Sequence, residues 1–178
     1  TVTVTVPKSF LPPVANPDVR FTSEDVTLTV SSANGLLNND TDANPGETLS
    51  VVNFQVNGTT YSPGTTASIT EGMLTINTDG SYTFVPAPDY NGSVPVVNYT
   101  ISDGTSTANA TSTLTITVTG VNDAPIANPD TNTVSEDTQL NVSAANGLIN
   151  NDTDADGTPL TLTKYTVNGT EYPAGSTV

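Results

Sequence analysis

The sequence predicts an all-β chain of tandem antiparallel two-sheet β-sandwich repeats, and three observations carry that reading. Apolar residues alternate with polar ones at period two in several segments, and no stretch sustains a 3.6-residue period. Thr, Val, Asn, Gly and Pro are abundant, whereas Lys and Glu, common fillers of exposed helix, are scarce. The chain also repeats itself at a spacing of about 110 residues, which suits a sandwich domain and is too long for a solenoid turn.

The repeat is exact in its landmarks. Val14-Ala15-Asn16-Pro17-Asp18 returns as Ile126-Ala127-Asn128-Pro129-Asp130, and Ser23-Glu24-Asp25 as Ser135-Glu136-Asp137. Asn38-Asn39-Asp40-Thr41-Asp42-Ala43 returns as Asn150-Asn151-Asp152-Thr153-Asp154-Ala155. Those pairs share one offset, 112 from Asn16 to Asn128; a one-residue deletion then shortens it, pairing Val56-Asn57-Gly58-Thr59 with Val167-Asn168-Gly169-Thr170. Thr1 to Val6 matches Thr113 to Val118. Residues 1–12 therefore read as the last strand of a preceding repeat plus a linker, 13–122 as a complete repeat, and 123–178 as the first half of the next.

Within the complete repeat, Val26, Leu28 and Val30 alternate with polar neighbours as a half-buried strand should. Between Leu49 and Val56 the inward phase slips by one residue, which a β-bulge explains. Leu74 and Ile76 lead to Tyr82 and Phe84 through a hairpin turning at Asp79-Gly80. Val97, Tyr99 and Ile101 make one inward row, and Leu114, Ile116 and Val118 another. The aromatics Phe54, Tyr82, Phe84 and Tyr99 fall on inward phases and read as core; Tyr61 and its counterpart Tyr172 fit either core or surface.

Composition narrows the function. Eighteen acidic side chains face three cationic ones, a formal net charge of −15. Such a chain has no basic cluster for nucleic acid and nothing to attract it to an anionic membrane. Its natural partner is a hard divalent cation with oxygen ligands. The absence of Cys and His removes disulfides, structural zinc and nearly every nucleophile–His arrangement. No apolar run is long enough for a membrane span. The eight Asn-x-Ser/Thr sequons are what so Asn- and Thr-rich a chain produces by composition.

The motif with the most chemistry is Asp152-Thr153-Asp154-Ala155-Asp156-Gly157. Alternate acids closed by Gly can wrap a calcium ion; the same residues also make polar turns by bonding their own backbone. In the first repeat the third acid is the neutral Asn44, followed by Pro45.

The segments Gly120-Val121-Asn122-Asp123-Ala124-Pro125, Ser135-Glu136-Asp137 and Asn151 to Gly157 resemble the bacterial cadherin-like, immunoglobulin-like tandem repeats of large calcium-dependent surface adhesins, the extender repeats of RTX-type adhesins. So do Pro88-Asp89-Tyr90-Asn91-Gly92 and Tyr99 to Gly104. The resemblance spans essentially the whole chain and implies calcium between successive domains. Its ligands at one junction would be Glu24 and Asp89, the linker residues Asn122 and Asp123, and Asp154 and Asp156. Asp42 and Asp103 would face the preceding junction, where the linker Ser9 to Pro13 contains no acid.

The resulting expectation is an extracellular, cell-surface spacer stiffened by calcium, whose partners are neighbouring repeats of its own chain. The competing reading is a filament or surface-layer subunit assembled by β-strand donation between copies. A carbohydrate-binding module would need an exposed aromatic row that this chain scarcely supplies. An enzyme ranks last, because the acids sit in turns and linkers.

Overall fold

In the computed structural model, which describes residues 10–44, 46–105 and 108–177, the chain divides into two compact units, Thr1–Val121 and Asn122–Val178. The strand expected at Thr1 to Val6 lies outside the described residues.

The first unit contains β1 (Asp18–Ser23), β2 (Leu28–Val30), β3 (Ser50–Val56), β4 (Thr59–Tyr61), β5 (Thr66–Ile69), β6 (Gly72–Ile76), β7 (Tyr82–Pro86), β8 (Gly92–Ser93), β9 (Val97–Ser102) and β10 (Ala110–Thr119). One sheet runs β1-β10-β9-β3-β4, with β8 also on β10; the other runs β2-β7-β6-β5. Every pairing is antiparallel except β1 with β10, which is parallel from Asp18 opposite Leu114 to Ser23 opposite Thr119.

The core lies between the sheets and follows the predicted phases. Val97, Tyr99 and Ile101 of β9, Leu114, Ile116 and Val118 of β10, and Phe54, Tyr82 and Phe84 are all buried in one cluster. The phase slip in β3 is a register shift between Val51 and Asn53 against β9. The β6–β7 hairpin turns through Asp79-Gly80; Gly80 holds φ +78, where a side chain would also strike Leu37. Tyr61 is half-buried and stacks on Phe54, ring centroids 5.3 Å apart.

Val26 departs from expectation. It is exposed and precedes β2, because Asp25 takes a left-handed conformation (φ 57) and the Val26 amide donates to Ser23 O in a turn. The alternation read from sequence there begins one residue pair too early.

The repeated Asn-Pro-Asp and Asn-Asp motifs form a clasp that both units share. In the first, Val14 and Thr41 exchange backbone hydrogen bonds, the Asn16 amide donates to Asp40 Oδ1 at 2.7 Å, Asn16 Nδ2 donates to Asn39 O, and Asn39 Nδ2 donates to Pro17 O. In the second, Ile126 pairs with Thr153, Asn128 donates to Asp152 Oδ1 and Asn151 O, and Asn151 Nδ2 donates to Pro129 O. The sequons at Asn39 and Asn151 thus have their amides committed to the fold, and a glycan there would open the clasp.

The second unit also keeps the hairpin that matches β3–β4. Strands β11 (Lys164–Val167) and β12 (Thr170–Pro173) turn at Asn168-Gly169 with positive φ at both residues, as Asn57-Gly58 does in the first unit. Such turns match the twist of the strands they join. Tyr165 stacks on Tyr172 as Phe54 does on Tyr61. Residues 130–135 and 140–142 match β1 and β2 in position but form no strand. Leu148 is 54% exposed where its counterpart Leu36 is 0%.

Packing makes the two classes of position separable by experiment. Leu74→Ala, at a fully buried site, should cost about 2–5 kcal/mol in denaturant unfolding of the first unit. Val26→Ala should stay within about 0.5 kcal/mol, the range for exposed positions. Equal losses at the two would contradict the burial described here.

Candidate metal centre

The loop after the clasp carries the site. Asp42 Oδ1 accepts the Asn44 amide at 2.6 Å, so the loop folds on its own carboxylate as an Asx turn. Carboxylate oxygens of Asp42, Glu47 and Asp103 lie within 4.8 Å of one another. Asp103 enters from the end of β9 and is buried, and Asp42 Oδ2 is buried without a hydrogen bond from any described residue. Asn44 Oδ1 accepts the amide of Leu11, which ties the loop to the incoming linker.

Asp42 and Asp103 were expected to share a site; Glu47 was not in that set. Its counterpart in the second repeat is Thr158, and repeat matching therefore passes over it. A paired exchange was nonetheless readable: the first repeat loses an acid at Asn44 relative to Asp156 and gains one at Glu47 relative to Thr158.

The second unit builds the same loop with charge at the other place. Asp154 Oδ1 accepts the Asp156 amide at 3.0 Å, and Asp156 Oδ2 accepts the Asp123 amide at 2.7 Å. That bond is the counterpart of the one between Leu11 and Asn44. Asn122 Nδ2 donates to Asp123 O.

At the opposite end of the first unit Glu24 is buried. Its carboxylate accepts the Val121 amide and, through Oε2, Asn91 Nδ2 at 3.3 Å. Asp89 is exposed, takes a left-handed backbone (φ 55) and donates its amide to Asp25 Oδ1. Within this unit, then, Glu24 fastens the exit of the chain and Asp89 shapes a turn.

A second acidic group lies under the clasp. Asp18 and Asp40 are both buried. The Tyr99 hydroxyl lies 2.8 Å from Asn16 O and 2.9 Å from Asp18 Oδ2. It donates its one hydrogen toward both oxygens. Burial raises the Asp18 carboxyl above its usual value, with the Tyr99 bond and Arg20 opposing. Burial likewise pushes Asp40 up to about 6, against the Asn16 bond and with Asp18 adding to it. Burial also lifts the Tyr82 and Tyr99 phenols, Tyr82 to about 12.

Residues 11–120 match the family profile of the bacterial cadherin-like domain. That is more than half of the chain, and the protein belongs to this family. Residues 122–178 match the profile of a bacterial Ig domain. No curated protein matches the chain. Among solved structures it is similar to an endo-fucoidan hydrolase of glycoside hydrolase family 107, at 18% identity and a TM-score of 0.31, over 66% of this chain and 15% of that one. So slight a likeness, over so small a part of the enzyme, carries no argument. Domains of the cadherin-like type generally bind calcium, and three carboxylates from Asp42, Glu47 and Asp103 are the hard oxygen donors that ion takes.

The buried carboxyls set a pH dependence. A carboxyl whose folded value lies above the unfolded 3.8 stabilises the fold while protonated, and that contribution is lost as pH rises through the folded value. Melting temperature in chelator should therefore fall between about pH 4 and about pH 7, and Asp18→Asn should flatten the fall. A melt that rises over this interval, or one that Asp18→Asn leaves unchanged, would refute the assignment.

Proposed function

We propose that the chain is part of an extracellular, non-catalytic spacer of a surface adhesin, stiffened by calcium at the junctions between repeats. The observation that carries this reading is the recurring bond between loop and linker, Leu11 to Asn44 in one repeat and Asp123 to Asp156 in the next. In each repeat the acidic loop grips the segment through which the preceding repeat would arrive. A cation held by that loop then restrains the linker as well.

In the first repeat Asp42, Glu47 and Asp103 would hold the ion, and neutral Asn44 is offset by Glu47. In the second, Asp154, Asp156 and the linker residues Asn122 and Asp123 would supply ligands. The calcium would relieve carboxylate repulsion and limit bending. Strand β10, with 10 residues at about 3.3 Å each, makes a repeat some 30–40 Å long with its loops. A series of them holds a terminal binding module away from the cell surface.

Extracellular calcium modules bind in the 10⁻⁴–10⁻³ M range, so millimolar calcium should add roughly 0.4–1.4 kcal/mol per site. Thermal melts with calcium and with chelator measure this, and small-angle scattering measures the straightening. Identical melts and profiles in the two conditions would sink the reading. Within the series, Glu47→Gln should weaken calcium binding by the first unit, and Asp154→Ala or Asp123→Ala binding by the second, each read by calorimetry. Assembly by strand donation would instead appear as polymer growing with concentration in size-exclusion chromatography.

A further inference from the structure

We propose that Asn57 and Asn168 are self-modifying sites, at which the chain's own backbone converts the side-chain amide to aspartate and isoaspartate. The inference draws on neither the spacer nor the calcium reading.

The chemistry needs an asparagine or aspartate followed by glycine, whose lack of a side chain lets its amide nitrogen approach the preceding side-chain carbonyl carbon. The chain has eight such pairs: Asn-Gly at 34–35, 57–58, 91–92, 146–147 and 168–169, and Asp-Gly at 79–80, 103–104 and 156–157. The nucleophile is the glycine nitrogen after it has lost its proton, so a hydrogen bond donated by that N–H protects the pair. Most pairs are protected in this way. Gly35 donates to Ser32 O, Gly147 to Ala144 O, Gly80 to Asn77 O, Gly157 to Asp154 O, and Gly104 to Ser102 Oγ. In the pair at 91–92, Gly92 lies in β8 opposite Val118, and Asn91 Nδ2 donates to Glu24 Oε2.

The remaining pairs are the tips of the β3–β4 and β11–β12 hairpins. Asn57, Gly58, Asn168 and Gly169 are exposed, and neither glycine N–H has a backbone partner among the described residues. A side chain on either glycine would meet nothing within 4 Å, so the peptide joining each pair has room to turn. Conformation favours the reaction further. Ring closure brings the Asn Cβ into line with the next nitrogen, at a ψ of about −120°. That is the value at the first central residue of a II′ turn, where φ is about +60°. Asn57 and Asn168 already hold φ 49 and 48. Rotating the single Asn-Gly peptide carries a I′ turn into a II′ turn, and both types match the twist of the flanking strands. Each hairpin therefore reaches the reactive geometry without unpairing.

The step needs only the chain and water. The Gly58 nitrogen gives up its proton and bonds to Asn57 Cγ, and the side-chain nitrogen leaves as ammonia. Water then opens the five-membered imide at either carbonyl, giving aspartate or isoaspartate; Gly169 acts on Asn168 in the same way. Each conversion adds a negative charge. Isoaspartate also lengthens the main chain at a tip whose length sets the register of its hairpin.

The two tips differ in how firmly they are held. In the first, Gln55 Nε2 donates to Gly58 O at 3.3 Å, and β3 is itself paired with β9. In the second, Thr166 stands at the matching position, and β11 and β12 form a two-stranded sheet. Asn168 should therefore convert about twofold faster or more than Asn57.

The test incubates the full chain at mildly alkaline pH, folded and in urea. Chymotrypsin, cutting after Phe54, Tyr61, Tyr165 and Tyr172, then frees each tip for peptide mapping by mass spectrometry. In the folded chain the two tips should convert about tenfold faster or more than the other Asn-Gly pairs, with isoaspartate identified by fragmentation. In urea, where no amide is protected, all the Asn-Gly pairs should converge. Asn168→Gln, which would have to close a larger ring, should lose its own signal and leave that of Asn57 unchanged. Folded tips that remain amides while the urea sample converts would overturn the proposal. So would Asn-Gly pairs that all convert alike in the folded chain.

Discussion

Strand β10 is the element on which the rest of the first unit depends. It pairs with β1 on one side and β9 on the other, takes β8 besides, and sends Leu114, Ile116 and Val118 into the core. The β1 segment, Asp18–Ser23, is paired with it at every one of its positions. An isolated strand leaves its amides and carbonyls to water and buries no face, so propensity alone does not hold it. What β1 possesses locally is the tendency to extend; its place is conferred by a strand some ninety residues further on.

Other parts of the architecture are independent of that long-range contact. The clasp around Asn16 and Asp40 recurs bond for bond in the second unit, and the β3–β4 hairpin recurs in the same register beside its turn. Their partners are at most a few tens of residues apart. The acidic loop belongs to this local class. It is folded by an Asx turn before any cation is considered, so the polar-turn and metal-loop readings of the same Asp residues describe successive levels of one object.

The acids divide by what surrounds them. Asp18 and Asp40 are buried beneath the clasp beside Tyr99, where burial favours the protonated form. Asp42, Glu47 and Asp103 converge at the neighbouring loop, in a set suited to a hard cation. Glu24 is buried as well, but its oxygens receive amides and it fastens the end of β10. Buried carboxylates in this fold thus differ in their surroundings: burial raises the proton affinity of Asp18 and Asp40, whereas Glu24 receives a backbone and a side-chain amide.

The sequence by itself determined the elements whose causes are local or periodic. The period-two rows placed Tyr99, Ile101, Leu114 and Ile116 inside, the slip near Val51 announced the bulge, and the repeat located the clasp and the acidic loops. Only the tertiary structure decided that Val26 is exposed, that Glu47 joins Asp42 and Asp103, and that β1 runs parallel to β10 in an otherwise antiparallel sandwich. The physical reason is range. Alternation and turn chemistry are properties of neighbouring residues and are written in their order. Which strand lies beside which, and which acid swings toward which, depends on contacts between segments whose separation leaves no local trace.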